Sequence, residues 1–460
     1  MSTKKKMLQA VAGAGTNILA GTVEGNQITF DFGNTIQQMD FNSSTGKHSV
    51  RITSNTSGSG GIIGLLNEDA ETFDWAFELM EGTLVSTTID VNNNVYFISY
   101  LGVAKKYGIG KLAAADGTVN WYKVLDESTD GTWVSLALAD LCIAGNDLWI
   151  VAGARENSST STHGTIHRLN ASNGSEYSGR AGYAIAGYYN SSANTYVMGV
   201  QGIWNPAYSR ETPILYVYDT GQGISTPGTT MLYIDTVNEI KSASRYNFKY
   251  RLGPGSIVFP NGIWTRLFQQ DSNGQYACIT GSARNSSSQY FGWFVVMNNN
   301  LSPSTGTTDM TRGFYITKNG SLWNGNGYLV YSNASGLPLY GYAGGTVFRY
   351  GSATSTSGTT WARDISNTSI GGMSITNNHE PLLYGRINSG PIAIFKIPAD
   401  GSVSNTSSVT FTDTTSTTVF TEDKEPFNIV RGTYQGGVNQ YGYNNPAFNN
   451  ATAPTLDEVS

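Results

Sequence analysis

The sequence predicts an all-β fold built from a repeated unit of short strands. Three observations carry this. β-Branched and aromatic residues fill short runs such as Val95 to Tyr100, which have the length and composition of a strand. Strong hairpin signals, Asp116-Gly117, Asn173-Gly174 and Asp400-Gly401, punctuate these runs. Only 13% of residues are charged, about half the usual share, while aromatics reach 12% and Gly numbers 54. Ser, Thr and Asn fill the polar positions, and no stretch carries the period of a long amphipathic helix.

Residues 90–123 show the unit most clearly. Asp90 to Asn94 read as a turn. Val95, Phe97 and Ser99 point one way along the next strand, and Tyr96, Ile98 and Tyr100 the other. Gly108 and Gly110 are expected to break the chain, with Lys111-Leu112 restarting it. Asp116-Gly117 supplies the positive φ that a type I′ turn needs, and Val119, Trp121 and Lys123 alternate after it. Two strands, an Asp-Gly turn and a strand carrying Trp make most of one blade of a β-propeller.

The same order recurs along the chain. Candidate turns fall near Asp69, Asp116, Asn173, Thr220, Asn299, Gly351 and Asp400. Most are about 50 residues apart, the length of a propeller repeat. Seven turns predict seven blades, or six if residues 17–82 fall short of a full blade. The longer interval after Thr220 predicts an insertion at about 222–270. Residues 406–422 read as an outer strand that closes the ring against the N-terminal strands, because a ring must close or leave an edge open. Two stacked β-sandwich domains split near residue 240 are the alternative architecture.

The organisation that follows is an N-terminal arm at 1–16, the propeller at 17–430 and an extended, low-complexity C-terminal arm at 431–460. Gly, Asn, Pro and Tyr at the density of the last segment do not pack on themselves. It is therefore expected to lie on a partner chain or to fold back on its own propeller. Lys4, Lys5, Lys6, Tyr441 and Tyr443 are the candidate assembly contacts in the two arms.

Charge and chemistry narrow the function. The net charge of −6 argues against a nucleic-acid partner. The basic residues Lys241, Arg245, Lys249 and Arg251 read as a solvated face. No run is long enough to insert in a membrane, and Met7 to Ala14 is too weakly apolar for a signal peptide. Cys142 and Cys278 sit in short apolar runs at similar places in two repeats, so a disulfide between them is not expected.

His163 and His167 share a strand face about 13 Å apart, too far to hold one metal ion; no metal and no cofactor are expected. Asp126, Glu127 and Asp130 cluster in Asp-Glu-Ser-Thr-Asp-Gly-Thr-Trp, and paired carboxylates facing one pocket could hydrolyse a glycoside. The order Ser128, Asp130, Gly131, Trp133 loosely resembles the Asp-box of sialidases, which is a turn device. Residues 113–121 resemble the blade-docking signature of quinoprotein propellers, with Trp121 packing between blades. No Gly-x-Ser-x-Gly stretch opens a helix and no phosphate loop is present. Trp204, Trp264 and Trp323 lie outside the strand pattern and could stack on sugar rings.

The opening Met-Ser-Thr-Lys-Lys-Lys-Met-Leu-Gln-Ala-Val-Ala-Gly-Ala-Gly resembles the start of structural proteins of tailed bacteriophages, especially marine ones. The repeats over 56–403 look like the propeller repeats of such virion proteins. The resemblance implies a non-enzymatic virion component, made in the host cytoplasm. It would be a tail fibre, tail-tip protein or adhesin, anchored by its arms to other virion proteins and to further copies of itself. Its loops would be presented to the host surface. A head-decoration protein on the capsid, and a glycan-binding or glycan-cleaving propeller, are the alternatives. The resemblance carries no set of catalytic residues.

Overall fold

A computed structural model describes residues 19–102, 106–126, 133–156, 162–176, 182–185, 195–205, 210–219, 228–234, 243–250, 257–258, 276–285, 290–298, 310–315, 317–318, 321–322, 327–331, 338–351, 359–414, 427–433, 438–440 and 448–459. Among these residues every regular element is a strand, and no helix is long and apolar enough to cross a membrane.

The chain opens with β1 (Leu19–Ala20), β2 (Thr22–Glu24) and β3 (Gln27–Phe30). Antiparallel sheets then follow one another. The first is built on β4 (Thr35–Phe41), β5 (His48–Thr53), β6 (Ile62–Leu66) and β7 (Thr72–Leu79). The second is built on β8 (Thr83–Ile89), β9 (Val95–Tyr100), β10 (Lys106–Leu112) and β11 (Val119–Asp126). The third is built on β12 (Trp133–Ala144), β13 (Asp147–Glu156), β14 (Thr162–Asn170) and β15 (Gly182–Ile185). The fourth is built on β16 (Thr195–Asn205), β17 (Arg210–Asp219), β18 (Gly228–Ile234) and β19 (Ala243–Tyr250). The fifth is β20 (Ile257–Val258), β21 (Tyr276–Asn285), β22 (Tyr290–Asn298) and β23 (Met310–Tyr315). A ribbon of β24 (Thr317–Lys318) and β25 (Ser321–Leu322) intervenes. The sixth sheet is built on β26 (Gly327–Tyr331), β27 (Leu339–Ala343), β28 (Thr346–Tyr350) and β29 (Thr359–Ile365). The seventh takes β30 (Thr368–Ile375), β31 (Pro381–Ile387) and β32 (Ile392–Lys396) and is completed by β3 and β2. Five short strands end the chain: β33 (Phe411–Asp413), β34 (Phe427–Thr433), β35 (Val438–Gln440), β36 (Phe448–Asn450) and β37 (Leu456–Glu458).

These sheets are the blades of a β-propeller. First strands pack on one another in succession, β4 on β8, β8 on β12, β12 on β16, and β26 on β30, which returns to β4. The cores lie between blades rather than within two stacked layers. In the second blade Val95 and Phe97 pack with Leu65 and Trp75 of the first. Tyr96 and Ile98 pack with Leu148 and Ile150 of the third. Alternation along one strand therefore serves two interfaces, and strand interiors are apolar on both faces. The stacked-sandwich alternative has no place in this arrangement.

Four expectations need correction. Gly108 and Gly110 do not break the chain; both lie inside β10. A Cβ at Gly108 would collide with the Tyr122 hydroxyl, and one at Gly110 with the Phe97 ring. Glycine here makes room for cross-strand aromatics rather than a turn. Second, β18 and β19 fall in the region read as an insertion, and they are regular third and fourth strands. Thr220 follows β17, a second strand, whereas Asp116 and Asn173 follow third strands, so its turn is not equivalent to theirs. Third, Cys142 lies in a first strand and Cys278 in a second, so the two do not occupy matching places.

The fourth correction concerns closure. Residues 411–413 do not close the ring; they pair with β29 of the sixth blade. The ring is closed by β3, which pairs with β32. The seventh blade is thus three strands from the end of the repeat region and two from the N-terminus. The turn at Asp400-Gly401 leads out of this blade instead of into a fourth strand, because β3 already holds that place.

From β33 onward the chain runs back round the outside. It adds β34 to β19, β35 to β15, β36 to β11 and β37 to β7, each antiparallel. The blades are met in the reverse of chain order: sixth, fourth, third, second, first. These segments form a strap on the outer blade edges. The expected boundary between propeller and arm at 430/431 falls inside β34, so the described parts of the C-terminal arm belong to the propeller itself. The strap ends on the strand that also carries β1. Both β1 and β37 pair with β7, and Val459 packs in the cluster that includes Phe73 and Ala76, against Leu19.

Candidate functional site

Blade junctions concentrate the polar chemistry of the described residues. The outermost repeat strand of one blade carries a Trp that donates to a turn of the next. Trp75 Nε1 lies 3.1 Å from the Ala114 carbonyl, Trp121 Nε1 3.2 Å from that of Ala171, and Trp361 Nε1 3.0 Å from that of Ala399. Each acceptor sits just before the Asp-Gly or Asn-Gly pair. Asp116 accepts from the amide and hydroxyl of Thr118, and Asp400 does the same for Ser402. These bonds hold both carboxyls below the usual carboxylate range. Gly174, at φ +66°, lies flat on the Trp121 ring, where a Cβ would come within 2.7 Å. The docking role read for Trp121 is the one the structure shows.

A second set of contacts follows the first strands. Gln38 of the first blade donates from Nε2 to the Thr87 carbonyl at 2.8 Å and accepts the Thr87 amide at 3.3 Å. Ser86 of the second blade donates to Asp140 Oδ1 of the third at 2.7 Å. Asp140 Oδ2 accepts the Val200 amide of the fourth at 3.2 Å. Four blades are joined in one polar ladder. Its side chains are placed by a repeated irregularity. The pairing register slips between Ile36 and Gln38, Leu84 and Ser86, Leu138 and Asp140, Val197 and Gly199, and Ile370 and Gly372. A bulge at one place in each of these five first strands turns the following residue toward the neighbouring blade. The signal legible afterwards is an apolar residue, one skipped residue, then a polar or small one; strict alternation could not find it.

The buried histidines join elements in the same way. His48 Nε2 lies 3.0 Å from Ser374 Oγ and 3.2 Å from the Ile375 carbonyl across the first and seventh blades. A carbonyl only accepts, so Nε2 carries the proton. His167 meets the strap residue Phe448 edge-on, with ring centroids 5.6 Å apart. Burial lowers both histidines to about 4, so both are neutral at pH 7. Cys142 is a buried free thiol; burial, followed by the charge of Asp140, pushes its pKa up.

His163 and His167 are both in β14, as the strand reading requires. Among the described residues no three His, Cys, Asp or Glu side chains are grouped to hold a metal. Asp126 ends β11, and Trp204, expected outside the strand pattern, lies instead within β16 opposite Glu211. The other candidates named from the sequence, Glu127, Asp130, Trp264, Trp323, Lys4, Lys5, Lys6, Tyr441 and Tyr443, lie outside the described residues. Of the basic cluster, Arg245 and Lys249 are in β19, and Lys241 and Arg251 lie outside.

No family model and no curated protein matches the sequence. Solved structures are similar at low identity. A Dos1 propeller matches with a TM-score of 0.41 and 8% identity, over 80% of this chain and 93% of that one. The tail fibre of a Staphylococcus aureus phage matches with a TM-score of 0.21 and 9% identity, over 84% of this chain and 96% of that one. A neuraminidase-like protein of A/little yellow-shouldered bat/Guatemala matches with a TM-score of 0.32 and 8% identity, over 83% and 98%. At these identities and scores the fold assignment rests on the strand order above, and no function rests on the likenesses.

Proposed function

We propose that the chain is a non-enzymatic structural component of a tailed-bacteriophage virion: a tail-associated propeller that presents loops to the host surface. The observation that carries this reading is the strap. It covers the outer edges of five blades with the chain's own backbone. Strand edges are the usual route to unwanted pairing. A propeller sealed this way offers its loops and turns for recognition while its body stays rigid. The buried histidines and Asp140 serve blade contacts, which supports a scaffold role for them.

The surface chemistry suits a neutral glycan. Ser, Thr, Asn and Tyr supply many weak hydrogen bonds and stacking faces, and few charges mean little dependence on salt. In this reading Trp204, Trp264 and Trp323 stack on sugar rings. Lys4, Lys5, Lys6, Tyr441 and Tyr443 contact neighbouring virion proteins or further copies.

The test is binding of the full chain to a glycan array and to host envelopes, with Trp204→Ala, Trp264→Ala and Trp323→Ala beside it. The expected result is binding that persists at high salt and falls by about twofold to tenfold on losing one stacking Trp. Absence of any binding to host envelopes, or release of sugar from the bound glycan, would overturn the adhesin reading.

A further inference from the structure

The strap leaves the chain with an interaction surface that its own sequence fits. Each pairing is an antiparallel strand added to an outer blade edge, made through backbone groups. Such a pairing is the same whether the added strand comes from one chain or from a second copy. Three features favour exchange at the C-terminal end. The last two strands are three residues each, so opening them breaks few bonds. Their side chains are mostly exposed; Phe448 and Val459 are the buried anchors. The strap lies outside every blade meander, so it can peel from its end without unthreading any blade.

We propose that the outer edges of β7 and β11 accept residues 448–459 of a second copy of this chain, linking propellers by reciprocal strand exchange. The two edges are fixed in register by the present contacts. Asn450 stands opposite Lys123, and its side-chain oxygen accepts from Lys123 Nζ. Asp457 stands opposite Glu78. After exchange Phe448 of one copy packs in the pocket formed by Leu125, Leu169 and Ala171 of the other, the same cluster it occupies now. The first described strand shares the β7 edge, since Leu19 pairs with Phe73 there. Strand pairing alone supports this exchange, whether or not the chain belongs to a virion.

Cysteine pairs at facing positions test it. Lys123→Cys and Asn450→Cys are made as separate full-length proteins, mixed, and oxidised; directly opposed antiparallel residues lie within disulfide reach. The double variant Lys123→Cys/Asn450→Cys is the control for geometry. Glu78→Cys with Asp457→Cys repeats the design at the other edge. The expected result is a covalent dimer in the mixture that neither single variant gives alone, with a dimer fraction of unmodified protein that rises with concentration in light scattering. A mixture that yields no more dimer than the single variants, while the unmodified chain is monomeric at every concentration, would overturn the proposal.

Discussion

The carboxylate of Asp140 accepts the hydroxyl of Ser86 at 2.7 Å, across the junction of the second and third blades. The same carboxylate accepts the Val200 amide of the fourth blade on its other oxygen. One side chain therefore ties three successive blades at their innermost strands. Asp140→Ala leaves a hydroxyl and an amide without this acceptor and is expected to destabilise the fold by about 1–3 kcal/mol. Asp140→Asn keeps one oxygen acceptor and should cost less. Denaturant unfolding of the two variants checks the order.

The Trp-to-turn contacts allow a sharper comparison. Trp121→3-benzothienylalanine keeps a bicyclic ring of the same shape and removes the Nε1 donor to Ala171, a loss of about 1 kcal/mol. Gly174→Ala keeps every hydrogen bond but drives a methyl into the same ring at a positive φ. It should be the more damaging of the two, at about 1–3 kcal/mol. Thermal unfolding of both variants measures the difference, and a milder Gly174→Ala would contradict the packing described.

The buried histidines set a pH dependence. His48 and His167 have folded-state values of about 4 against an ordinary 6.5. Between these values the unfolded chain binds protons that the folded chain excludes. Stability is full above about 6.5 and falls as pH drops toward 4, by on the order of 3 kcal/mol for each histidine. Unfolding midpoints measured from pH 7 to pH 4 give this slope. His48→Gln and His167→Gln should each flatten it.

The strap should open before the blades. Hydrogen exchange is expected to be fastest in β36 and β37 and slowest in the second strands β9 and β31, most of whose residues are buried. Phe448→Ala should speed exchange in β36 and in the facing part of β11 while leaving β5 unchanged. Uniform exchange across strap and blades would mean that the strap unfolds with the whole.

Much of the blade was legible in the sequence because its signals are local. Val95 to Tyr100 announced a strand by its run of β-branched and aromatic residues, Asp116-Gly117 a hairpin by its φ requirement, and Trp121 a packing role by its place after that turn. The first strands were harder. Ile36-Gln37-Gln38-Met39-Asp40 carries a bulge, which shifts its alternation midway, so its inward and cross-blade faces do not follow one period. The strap was harder still. Phe448 and Leu456 are single apolar residues in a polar tail, and their partners lie more than 300 positions away in β11 and β7. Composition reads such a tail as disordered because pairing of this range leaves no local mark. Of the candidate site residues, Trp121 and His167 could be followed from sequence to contact. Trp204 could be followed only to its strand.

Cryo-EM of an intact phage particle, at side-chain resolution, tests the virion reading at its root. The propeller is expected on the tail, its loops facing outward, with residues 1–16 against a tail or baseplate neighbour and the strap on blade edges. Finding the chain in the capsid lattice, or in no particle at all, would refute that placement.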